Sequence, residues 1–338
     1  MILIPVLLVL VAVCKSSSYS FNVYPLLSRR DVISNAVATA PILLYPSVSL
    51  SLEDQTQSRN VLLDLPPQKP DTVRVFLCRH GQTEYNRLKI LQGSRIDAPL
   101  NDKGRLMAAR LGKEFASLNQ SLSKGWNDKS TGLSKVFFHS NLQRSKETAS
   151  IASEALNRSE QAVQLSLLES LAEVDFGPSC DGKTQTYSVR SSIYRNYANW
   201  AMGHVDATNM CSDENRESSL DPGETGRVVL QRAATALTSL MRQAQEQNSG
   251  SIVAVSHSVF IRTLLSLAMD MPLLEVASIP QANCCINVLD LDPSKSPTRL
   301  SKKSHLFIGG SGPPDFNLEI PHVDVIRINE KRHLTGLL

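Results

Sequence analysis

Four apolar, strand-like runs in this chain each end on an ionisable group, and that repetition limits the fold more than any other feature. Val73–Cys78 runs into Arg79-His80-Gly81. Lys135–Phe138 runs into His139 and the segment Ser140 to Ala149, which carries Arg144. Val163–Leu168 precedes Leu171-Ala172-Glu173, and Ser251–Val255 precedes Ser256-His257-Ser258. The segments between and behind them, Asp102–Leu118, Asn141–Leu156, Thr225–Glu246 and Val259–Ala268, read as helices. In Thr225–Glu246, Val229, Ala233, Ala236, Leu237 and Leu240 share one face of a 3.6-residue period. A further strand is expected at Ile286–Leu289. Strands alternating with helices predict an α/β fold, a mostly parallel sheet with helices on both faces. Groups just past the carboxyl ends of parallel strands gather in one crevice. The pattern therefore brings two histidines, two arginines and a carboxylate together.

The chemistry of that set suits phosphorus. Imidazole is a good nucleophile when neutral, and its reference pKa near ~6.5 leaves it mostly neutral at physiological pH. Arginine offers a planar fork of donors to phosphate oxygens. Glycine lets the backbone turn sharply or approach a ligand closely. Each residue also has a plainer reading. Arg79-His80-Gly81 could be a surface turn, Arg144 a solvated helix residue, His257 a satisfied helix cap and Glu173 a loop carboxylate. The fourfold recurrence weighs against these readings.

With those residues in view, the chain resembles the histidine phosphatase superfamily, the phosphoglycerate mutase-like family. The resemblance rests on Arg79 to Asn86, Gln92-Gly93 with Pro99-Leu100 and Gly104, Ser140 to Ala149, Leu171-Ala172-Glu173, Gly223-Glu224-Thr225 and Val255-Ser256-His257. Asn283 to Leu289 and Asn329 to Leu334 also fit, so it spans roughly residues 73 to 334. It implies a phosphoglycerate mutase-like fold and roles residue by residue. His80 would be the nucleophile that becomes phosphohistidine. Arg79, Arg144 and His257 would hold the phosphoryl oxygens, with Asn86 adding a hydrogen bond. Glu173 would give a proton to the leaving oxygen and later take one from water. Gln92, Gly93 and Ser258 would complete the substrate-binding set. No cofactor and no metal is implied.

The chain departs from the family pattern in places. Ile90, with Lys89 beside it, stands where the family often has an arginine. Ser258 replaces a usual glycine and is a good helix-capping type. Pro178 to Gly182 matches the pocket-shaping segment only loosely. Mutases resembling this family carry an adjacent arginine pair after the acid; here Arg190 and Arg195 are separated, which favours hydrolysis, though both could be solvated helix residues. The reading is therefore a phosphomonoester hydrolase acting on a small phosphorylated metabolite. A phosphoglycerate mutase-like transferase and a non-catalytic phospholigand or protein-binding module remain as alternatives.

Composition fits one globular enzyme. The 338 residues are 42% hydrophobic and 20% charged, with a net charge of +3, too small to argue for nucleic acid. The six cysteines, at 14, 78, 180, 211, 284 and 285, show no CxxC spacing. Cys78 lacks the arginine six positions on that a thiolate phosphatase needs, since Glu84 stands there, so it reads as a buried strand residue. Cys284-Cys285 reads as half-buried strand, with a redox role left open. Ser121–Gly132 reads as a surface loop, Cys211–Pro222 as a loop that could be a lid, and Pro293–Pro314 as an excursion between late strands. The domain plan is a leader over 1–60, a linker over 61–72 and the phosphatase domain over 73–334.

The leader has three parts. Met1–Cys14 is nearly all apolar, like a signal peptide's core. Phe21 follows small residues, and Asn22–Arg30 is basic and free of acids, which resembles the bipartite plastid presequence of algae with secondary plastids. Arg29-Arg30, followed after Asp31 by the uncharged run Val32–Leu52, resembles a twin-arginine thylakoid signal. A plastid destination, with the lumen as a further step, is expected, and no stable membrane association once the leader is removed. A secretory signal with a linker, or an anchor at Val32–Leu52, are the alternatives; Pro41 and Pro46 weaken the anchor.

Overall fold

The computed structural model describes residues 60–125, 133–157, 162–207 and 223–338. The leader features, Cys14, the Cys211–Pro222 loop and most of Ser121–Gly132 lie outside them. Among the described residues no helix is long and apolar enough to cross a membrane.

In chain order the elements are β1 (Val73–Arg79), α1 (Glu84–Arg87), α2 (Asp102–Gly125), β2 (Val136–His139), α3 (Gln143–Asn157), β3 (Gln164–Leu167), α4 (Tyr187–Ala201), α5 (Gly226–Glu246), β4 (Ser251–Ser256), α6 (Ser258–Ala268), β5 (Ile286–Asp292), β6 (Thr298–Ser301), β7 (Asn317–Ile320) and β8 (His322–Glu330). Six strands form one sheet in the order β3-β2-β4-β1-β5-β8, and β6 pairs with β7 separately. β1, β2, β3 and β4 run parallel, while β5 is antiparallel to both its neighbours. The mostly parallel sheet expected from the alternating pattern is present.

Helices cover both faces because the central strands alternate two apolar sets. Val73, Val75 and Leu77 of β1 pack with α5 and α6 residues such as Leu237 and Leu264. Phe76 and Cys78 point the other way, against Leu111 and Phe115 of α2 and Ala152 of α3. Buried strands packed on both sides need such near-continuous apolar runs. The exception in β1 is Arg74, which faces Asp290 of β5 across the ladder and holds it through two 2.8 Å bonds. Val61 and Leu62, in the segment read as a linker, are buried against the α2 side of the core.

Three expectations need adjusting. β3 is an edge strand, and its Leu165 and Leu167, which share one face, are exposed. Cys284 and Cys285 are fully buried and precede β5 rather than lying in it; Cys284 takes φ +54 in a turn. The segment after Gly182, given no element from the sequence, forms α4.

Candidate active site

β1 ends at Arg79, and His80 follows directly, its N–H donating 2.9 Å to the Ser256 carbonyl at the end of β4. Parallel pairing of β1 and β4 in register, Arg79 opposite Ser256, sets His80 beside His257. Their ring centroids are 5.0 Å apart. His80 Nδ1 lies 2.7 Å from the Gly81 carbonyl. A carbonyl only accepts, so Nδ1 carries the hydrogen and Nε2 keeps its lone pair. Burial holds the His80 pKa well below the ordinary histidine value, and the Arg144 and Arg79 charges push it further the same way. The ring is therefore neutral, with its lone pair on Nε2. Gly81 does not need its freedom to turn here, since its φ is not positive. A Cβ on it would stand 2.6 Å from the Gly104 carbonyl, and one on Gly104 would stand 2.0 Å from the Gln82 carbonyl. The loop after β1 and the start of α2 touch backbone to backbone.

Arg144 opens α3 just past β2 and is fully buried. Its Nη1 donates to the Ile96 carbonyl at 2.6 Å, its Nη2 to the Gly93 carbonyl at 3.1 Å and its Nε to His257 Nδ1 at 3.2 Å. The last bond fixes His257 as the other tautomer, with Nε2–H donating to Ser140 Oγ at 2.7 Å. Burial, then Arg144, His80 and the other nearby arginines, holds the His257 pKa well below its ordinary value. Arg79 donates from Nη1 to the Gln281 carbonyl at 2.6 Å, while its buried Nε has no partner. Burial draws the pKa of Arg79 and of Arg144 down to about 10, against a partial opposing pull from Glu173, so both remain cationic at neutral pH.

Glu173 is buried and its carboxylate faces the start of α6. It accepts N–H bonds from Val174 at 3.0 Å, Phe260 at 2.9 Å and Val259 at 3.3 Å. Ser258, though a good capping residue type, is not the cap of this helix. The structure places it one residue inside, His257 occupies the cap position without a side-chain bond, and Glu173 supplies the acceptor instead. The Glu173 loop is held from outside by Arg232, which donates to the Ala172 carbonyl at 2.5 Å, pairs with Glu224 at 2.7 Å and stacks over Phe260 at 4.5 Å. That explains the Gly223-Glu224-Thr225 segment, and Arg232 itself carried no sequence signal.

A cavity of about 440 Å³ opens on this cluster. Its wall holds Arg79, His80, Asn86, Gln92, Glu173 and Ser258, six of the predicted site residues. Arg144, His257 and Gly93 stand behind that wall. Asn86 Oδ1 takes bonds from Thr83 N–H and Asn283 Nδ2, which leaves its amide nitrogen for a ligand. Gln92 Oε1 takes the Thr83 hydroxyl at 2.9 Å, and its buried Nε2 has no partner. The sequence reading missed Arg262, one turn along α6 from Ser258 and in the same wall, with Nε on the Ile279 carbonyl at 2.7 Å. Its four-residue spacing from Ser258 was the available signal. It also missed Tyr194 and Tyr197 of α4. A larger cavity, about 590 Å³, lies at the opposite end of β1 and β4 and holds neither histidine; its size does not make it the reactive site. Burial raises the Cys78 thiol well above its usual range, so it is a core residue as expected.

A model of the histidine phosphatase superfamily, branch 1, matches residues 75–302. The chain belongs to the histidine phosphatase superfamily and is an enzyme of that class. Fructose-2,6-bisphosphatase TIGAR B of Danio rerio is 40% identical over 80 residues, 24% of this chain and 26% of that protein, so the match spans about a quarter of that relative. Probable phosphoglycerate mutase GpmB of Salmonella arizonae is 25% identical over 223 residues, 66% of this chain and 87% of that protein. Among solved structures, phosphoglycerate mutase from Bacillus anthracis aligns with a TM-score of 0.50 at 15% identity, covering 79% of this chain and 97% of that one. Mycobacterial hydrolase 2 aligns at 0.51 and 18% identity, covering 77% and 92%. These structures share the fold.

Proposed function

We propose that this chain hydrolyses small phosphomonoesters through a phosphohistidine on His80. One observation carries the reading. Arg79 and Gln92, each with a buried donor that has no partner (Nε and Nε2), line the same cavity as a neutral histidine whose Nδ1 is held by the Gly81 carbonyl, leaving the Nε2 lone pair. Buried unpaired donors are costly, and a phosphoryl group would satisfy both.

In the first step His80 Nε2 bonds to phosphorus, the ester P–O bond breaks and Glu173 gives its proton to the departing oxygen. In the second, water attacks phosphorus, its proton passes to Glu173 and the P–N bond breaks. Arg79, with Asn86 and Gln92, holds the equatorial oxygens, where charge sits in phosphoryl transfer. Arg144 and His257 add charge and rigidity from directly behind the wall.

The cavity also favours a substrate with a second acidic group. Its wall holds the cations Arg79, Lys89 and Arg262 against the single carboxylate of Glu173. Ile90, Phe176, Ile193 and Val259 supply apolar wall for a short carbon skeleton. Hydrolysis is favoured over mutase chemistry because the segment after Glu173 lacks an adjacent arginine pair, and Arg195 is exposed and outside the wall. Rapid-quench trapping tests the reading. Wild-type protein should yield an acid-labile, base-stable phosphoenzyme, and His80→Ala none. Turnover that requires 2,3-bisphosphoglycerate as primer would favour the transferase instead.

A further inference from the structure

Asp181 sits behind the cavity on a second chain segment, and its contacts converge on the phosphate-holding groups. Its Oδ1 accepts the Gly93 N–H at 2.9 Å. A Cβ at position 93 would lie 2.5 Å from that same oxygen, so the two groups are in close contact. The Gly93 carbonyl in turn accepts Arg144 Nη2 at 3.1 Å, and the preceding residue, Gln92, lines the cavity and has a buried amide nitrogen without a partner. Around this point the two segments are zipped by backbone bonds. Leu91 N–H donates to the Lys183 carbonyl at 2.8 Å, Gly182 N–H to Leu91 at 3.0 Å and Gln185 N–H to Lys89 at 2.7 Å.

The other oxygen, Oδ2, is buried without a partner. The charged groups around the carboxylate are Asp175 and Glu173, which oppose its ionisation, and Arg95, which favours it, while Arg144 feels its charge. Arg95 is already spent on Asp175 through bonds of 2.6 and 2.8 Å. Burial is the largest influence and lifts the Asp181 pKa to about 6.

We propose that Asp181 is a positioning residue whose carboxylate pins the Gln92-Gly93 loop, and through the Gly93 carbonyl Arg144, so that phosphate binding depends on its ionisation. The proposal rests on the phosphohistidine reading for its assay. With the charge present, the Gly93 N–H bond is charge-assisted; with a proton on the unpartnered Oδ2 it is an ordinary neutral bond. The difference between those classes corresponds to about a tenfold effect on binding.

The test is hydrolysis of p-nitrophenyl phosphate by wild type and Asp181→Asn between about pH 5 and about pH 8.5. The asparagine keeps an acceptor for Gly93 and loses the titration. The wild-type KM should rise as pH falls through about 6, with kcat changing much less. The variant should show a KM raised about tenfold at pH 8, converging on wild type near pH 5. The substrate's own ionisation is common to both proteins and cancels in the ratio. Asp175→Asn, which removes an opposing charge and frees Arg95, should move the wild-type inflection to lower pH and provides a second route if Asp181→Asn folds poorly. A KM ratio independent of pH, together with an unmoved inflection in Asp175→Asn, would overturn the proposal while leaving the phosphohistidine reading intact. Failure of wild type to form a His80-dependent phosphoenzyme would instead overturn the underlying reading.

Discussion

Glu173→Gln separates proton donation from structural support, and the structure shows why a simple activity loss would not suffice. The Glu173 carboxylate accepts three backbone N–H bonds and caps α6. A glutamine keeps one oxygen and turns an NH₂ toward an amide donor, so at least one of these bonds is lost. Removing a helix cap costs typically ~1 kcal/mol. For a domain of this size that predicts a Tm lower by roughly 2–4 °C. Losing a general acid costs ~10²–10⁴ in rate, or about 2.7–5.4 kcal/mol of barrier. Chemistry should therefore exceed the structural effect, but both lower activity. The ratio of two substrates isolates the chemistry, because cap damage affects both alike. An alkyl phosphate leaves as a strongly basic alkoxide and needs the proton; p-nitrophenyl phosphate leaves as a weak base. The expected result is a kcat/KM loss at least about tenfold larger for the alkyl ester. The assay is steady-state hydrolysis of both esters by one preparation, with thermal unfolding alongside. Equal losses would refute Glu173 as proton donor and leave it as a helix cap or water-positioning group.

His80→Ala should lose turnover while keeping its circular dichroism and unfolding transition, and substantial residual hydrolysis would sink the mechanism. The depressed pKa values of His80 and His257 have a definite sign. Both rings stay neutral in the fold where an unfolded chain would take up protons, so their contribution to stability is complete above pH ~6.5 and is lost as pH falls below it. Nitrogen-15 NMR should find both rings neutral at pH 6, and a midpoint at or above 6.5 would contradict the burial argument. Arg262→Ala should lower kcat/KM for 2-phosphoglycolate more than for 2-hydroxyethyl phosphate, which lacks the carboxylate; equal effects would remove the second-anion reading. A fusion of residues 1–60 to a fluorescent protein should enter the plastid of an alga with a secondary plastid. Phe21→Ala should stall it before the inner membranes, whereas secretion of the wild-type fusion would refute the plastid reading.

What the sequence made legible was the part of the fold that repeats. Four strand exits and two apolar faces per strand are local signals, and they gave the sheet and brought His80, Arg79, Arg144, Glu173 and His257 together. What stayed hidden depends on partners far along the chain. α4 has a mixed face of Tyr, Ser, Arg and Asn, and its order comes from burying Tyr197 and Trp200 in the core shared with α5 and α6, where Gly226 of α5 packs against the Trp200 ring. Arg232 looks like any helix-surface arginine until Ala172, Glu224 and Phe260 are seen around it. Gly81 suggested a sharp turn, but the constraint is the Gly104 backbone, more than twenty residues away. Ser258 suited a cap by residue type, and a buried glutamate from another strand exit took that role.

The arginines of this site bond to carbonyls, a histidine nitrogen or nothing, and that choice of partner links its two requirements. Arg144 spends its nitrogens on Ile96, Gly93 and His257, and Arg79 spends one on Gln281. All are neutral acceptors, so the positive charge is oriented without being cancelled. A carboxylate partner would have steadied the same guanidinium groups but would have occupied the place of the substrate. It would also have drawn a proton toward His80 and left Nε2 less able to attack. Burial first, and then the charges of Arg144 and Arg79, oppose protonation of His80. On the proposed mechanism the same charge then meets the phosphate dianion. Burial makes this field costly to assemble, and Arg79 Nε and Gln92 Nε2 are buried there without a partner, which on the proposed mechanism a bound phosphate would relieve. Inorganic phosphate should therefore raise the Tm, and by less in Gln92→Ala, where one of those two donors is gone.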